Sequence, residues 1–160
     1  MNFGMPELHL MLNHIPILGT IFAGIVIVWG MFRRSADILR FGLGATVVLA
    51  AVTYPIFLTG HEAEEQLEHE SWFNDERVHE HEERAESALV ATLITGVVAL
   101  FTLWRARGGK PLTTTLVGAS LTGLLVAAAL FAWTALAGGV IRHEELRAGF
   151  TPAAGAHHED

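Results

Sequence analysis

Residues 60–86 read GHEAEEQLEHESWFNDERVHEHEERAE, a polar island between two long apolar halves of the chain. The island holds 11 of the 17 acidic residues and four of the nine histidines. A stretch so rich in ionisable groups has no place in hydrocarbon, so it fixes how the flanking apolar segments must run. They cross a bilayer, and the island lies at or beyond one face. The expected fold is all-α: an integral membrane four-helix bundle, N-out and C-out, with its second and third helices extended beyond the membrane.

Composition points the same way. The 160 residues are 51% hydrophobic, with a mean hydropathy of +0.40. The apolar residues come in blocks of spanning length, at about 13–32, 38–59, 84–105 and 112–141, which makes 1–160 a single transmembrane domain with an acidic, His-rich outer segment at 60–86. A formal charge of -7 excludes nucleic acid as a partner, because phosphate binding needs a basic face. The absence of cysteine removes disulfides, iron–sulfur clusters, thiolate zinc sites and covalent haem attachment. Any cofactor must rest on His, carboxylate or Met. The opening MNFGMPELHLML carries Glu7 rather than a basic n-region, so the first apolar run is expected to be kept as an anchor.

Local signals place the histidines. Asn13 is suited to cap the first span, with Pro16 in its first turn. Alternatively the helix starts near Leu8, and Pro16 kinks it beside His14. In the second span Gly42, Gly44 and Ala45 form a small-residue face for close packing, and Pro55 is expected to bend the outer third. Good helix formers after Thr59 predict about two further turns, which would align His61, Glu65 and His69 at i, i+4 and i+8. Trp72 and Phe73 suit a membrane interface, and Asn74-Asp75 suits a helix cap. The third helix then raises His79, His81 and Glu83 above the hydrocarbon, and the fourth ends in GGVIRHEELR with His143. Arg33, Arg34, Arg40, Arg105, Arg107 and Lys110, six of the ten basic residues, fall on the opposite face. The positive-inside rule makes that face cytoplasmic, so the histidines of a bacterial inner-membrane protein would look towards the periplasm or exterior.

Each helix thus brings a histidine to one end: His14, His61, His79 or His81, and His143, with His9 peripheral. Interfacial histidines are common, and an acidic island is often only a solvated face, so a cofactor-free accessory subunit of a membrane complex is one reading. Convergence from four helices favours two others. One is haem b, one or two groups, bound through His14, His61, His81 and His143 as iron ligands near the outer face, with Gly60, Gly138 and Gly139 admitting the porphyrin and Arg142 or Arg147 pairing with its propionates. The other is a bare Zn, Cu or Fe site drawn from His61, Glu65, His69, His79 and Glu83. HEAEE is not HExxH, and no Ser/His/Asp or Gly-rich phosphate signature occurs, so no catalytic residue is assigned.

NHIPILG opening the first span, Gly-His ending the second, a His before the third and GGVIRHEEL closing the fourth resemble the small four-helix bacterial membrane proteins, largely uncharacterised, found alongside or fused to Rieske-type redox domains. That resemblance implies His14, His81 and His143 as the family positions. The longer acidic island departs from the family's shorter loop, so His61 and His69 are not carried over. The combined expectation is a membrane cytochrome-like electron-transfer subunit rather than an enzyme on its own. Its partners would be the bilayer, a quinone and a redox protein or larger membrane complex.

Overall fold

Among the residues described by the computed structural model, 4–143 apart from the Arg142 side chain, all regular structure is helical. The helices are α1 (Met5–Leu12), α2 (His14–Arg33), α3 (Ala36–Leu67), α4 (Asp75–Arg105) and α5 (Thr114–Arg142), with a short 3₁₀ turn at Arg107–Gly109. Arg147, His157 and His158 lie outside the described residues. Four stretches are long and apolar enough to cross a membrane: Met5–Arg33, Ala36–Leu67, Asp75–Arg105 and Thr114–Ile141. Large apolar side chains such as Phe32, Val48, Val97, Leu125 and Leu136 face outwards, a belt that only lipid would cover. The chain is a multi-pass membrane protein.

Helices α2 to α5 form a ring in chain order, each packed on the next and α5 closing on α2, while the diagonal pair α3 and α5 touch little. Small residues set the spacing, as expected where lipid offers no hydrophobic drive between helices. A Cβ on Gly96 would collide with that of Ala50, and one on Gly123 with the Thr95 side chain. On Gly42 it would stand 2.7 Å from Ile27 Cγ1, whereas on Gly44 it would meet nothing within 4 Å. Half of the predicted small-residue face of α3 is therefore a packing surface and half is an open notch. Buried Thr46, Thr53, Thr92 and Thr102 each donate to the carbonyl four residues back, which satisfies their hydroxyls without a partner helix.

The helix ends differ from expectation at one place. Asn13 does not cap α2: its backbone is itself right-handed helical, its side chain accepts no cap bond, and α1 passes almost directly into α2. An N-cap needs an extended backbone, so the early-start reading holds, with Pro16 buried in the first turn of α2. Ser35 and Asn74 do cap, accepting from the N–H of Ile38 and Arg77. Helix α3 is one continuous helix with Pro55, the expected bend, inside it, and it runs the predicted two turns past Thr59, so 60–67 of α3 and 75–87 of α4 form a polar extension beyond the apolar belt.

Candidate cofactor and metal centre at the polar end

Helix α1 lies along the outer part of α3. The Met5 N–H donates to Gln66 Oε1 (3.2 Å), and His9 meets Thr59 Oγ1 at 2.9 Å through Nδ1. Thr59 already donates its own proton to the Ile56 carbonyl, so the His9 nitrogen must be the donor and Nε2 keeps its lone pair. The His9 ring lies over Gly60, 3.3 Å from where a Cβ would stand.

His81 repeats this arrangement from the other side of the bundle. Its Nδ1 donates to the Thr134 carbonyl of α5 at 3.0 Å, and its ring occupies the space a Cβ on Gly138 would need, 3.0 Å away. Gly138 stands one turn beyond Thr134, so the missing side chain is what opens a path to that carbonyl. Burial holds the His81 imidazole below the ordinary histidine range, which favours the neutral ring. Burial, and next the charge of His81, hold the His9 imidazole below the ordinary histidine range as well. Between His9 and His14, Asn13 Oδ1 is buried with no hydrogen-bond donor.

The other predicted residues are more open. His14 is exposed and donates Nδ1 to the Leu10 carbonyl of its own helical run, 2.9 Å away. His143 is the exposed C-cap of α5. His61 sets Nδ1 2.6 Å from Glu82 Oε1 across the α3–α4 seam, with the ring edge-on to Phe57. His79 reaches Glu82 at 3.9 Å and Glu83 at 3.5 Å from an exposed position. The expected His61, Glu65 and His69 face is not what the fold assembles. Glu65 is exposed, and the largely exposed His69 lies 3.6 Å from its neighbour Glu68. Glu64 joins His61 instead: His61, Glu64 and Glu82 present ligand atoms all within 4.8 Å of one another. Burial, and next the charge of Glu82, push the Glu64 carboxyl above the ordinary range.

A scan of protein-family models, a search of curated proteins and a search of solved structures each returned no match. Function must therefore be argued from the site itself.

Sequence reasoning ranked His9 as peripheral and passed over Glu64 and Glu82. The available signals were Gly60, which leaves room for a ring at the level of His9, and the phase of the apolar positions in α3. Three imidazoles (His9, His14 and His81) share one state when neutral, with Nδ1–H given to a protein oxygen and Nε2 bare. That is the state in which a histidine ligates a metal, the Nδ1 contact fixing both tautomer and ring orientation.

Proposed function

We propose that this protein is a membrane electron-transfer subunit that carries haem b at the polar end of its bundle, where His9 and His81 would hold it. The observation that carries the reading is the matched pair of half-buried rings on α1 and α4. Each is held through Nδ1, rests on a glycine of a third or fourth helix, and keeps Nε2 free. The group suits the residues present: neutral imidazole donors, each seated on a glycine where any Cβ would crowd the ring. Bound there, the group would supply one-electron redox chemistry. The chain's own part is to hold two imidazoles in one tautomer and to raise their basicity through the Thr59 and Thr134 acceptors.

The cluster of basic residues at the opposite end supports an N-out, C-out orientation in a bacterial inner membrane. Electrons would then pass between a quinone or other membrane donor and a redox protein on the outer side. Extraction of the chromophore from purified protein tests the reading. The expected result is one equivalent of non-covalent haem per chain. Folded, membrane-inserted protein that contains none would leave the cofactor-free accessory subunit.

A further inference from the structure

We propose that His61, Glu64 and Glu82 form a divalent-cation site, separate from the paired histidines, that ties the polar extensions of α3 and α4 together. His61 and Glu64 stand at i and i+3 on α3 and so share a face, and Glu82 comes across from α4. Their ligand atoms lie within 4.8 Å of one another. A cation with bonds of about 2.0–2.2 Å to N and O needs ligands no more than roughly 4 Å apart, which small side-chain rotations reach. Two carboxylates, from Glu64 and Glu82, and one imidazole thus meet at the seam. Arg84 cannot help, since it is engaged by Glu80 and the Trp133 carbonyl and stacks on the Trp133 ring. His79 approaches Glu82 only from the exposed side, at 3.9 Å.

His61 Nδ1 stands 2.6 Å from Glu82 Oε1, and a cation bound between α3 and α4 would replace that direct contact. One imidazole and two carboxylates make a mixed shell suited to Zn²⁺, Mn²⁺ or Fe²⁺, while the absence of sulfur disfavours Cu⁺. The His61 side chain is 47% exposed, so water would complete the coordination.

The test is calorimetric titration of Zn²⁺ into untagged, chelator-stripped protein in detergent, with haem content measured on the same samples. The expected result is one tight equivalent, weakened at least tenfold by Glu64→Gln and by Glu82→Gln, which lie on different helices. Glu65→Gln and His69→Ala should stay within twofold of the parent, and haem content should be the same in all. No stoichiometric binding would overturn the proposal, as would equal weakening in all four variants, which marks a diffuse acidic surface. Loss of haem together with zinc in the two seam variants would overturn the separation of the sites.

Discussion

The His81 imidazole reaches the Thr134 carbonyl, 3.0 Å away, only because Gly138 has no side chain: a Cβ there would stand 3.0 Å from the ring. Three residues on two helices thus fix one nitrogen lone pair at the polar end of the bundle. Gly138→Val should push the ring off its acceptor. Overpacking and a lost buried hydrogen bond together cost about 1–3 kcal/mol. Haem content should fall by at least half in protein that still folds, and Ala135→Val, on an outward-facing position of α5, should leave it unchanged.

Tight and open glycines should separate cleanly in thermal unfolding in detergent. Gly96→Val drives a side chain into Ala50 at the α3–α4 contact and is expected to destabilise by about 1–3 kcal/mol or more. Gly44→Ala meets nothing and should be neutral or stabilising by up to about 1 kcal/mol, from helix propensity alone. Equal losses at both positions would contradict the packing described for the bundle.

How much of this was legible beforehand follows from what each feature depends on. The four spans, the polar extension of α3 and the Asn74 cap follow from hydropathy, local propensity and cap chemistry, all of which act over a few residues. The face of α3 turned towards α4 does not. Whether residue 64 or 65 joins His61 depends on the rotation of the whole helix, which is set by burial of Ile56 and Ala63 and by the contact of Gly60 with His9. His9 was obscured for a similar reason. Helix α1 reads as a lead-in to the first span, and only its docking on Thr59 and Gln66, some 50 to 60 residues away in sequence, buries the ring.

Orientation is testable independently of any cofactor. Reporters fused after Arg34 or Lys110 should report the cytoplasm, and one inserted near Glu70 should report the outside. The inverse pattern would turn the histidines inwards and remove the external redox partner from the account.

The most direct test of the paired-histidine site is the reduced-minus-oxidised optical spectrum of parent protein beside His9→Ala, His81→Ala and His14→Ala. The account predicts a b-type haem α band in the parent, lost or strongly diminished in His9→Ala and His81→Ala. It should be retained in His14→Ala, whose ring bonds only to its own helical run. A band that survives in both His9→Ala and His81→Ala but disappears in His14→Ala would contradict the assignment.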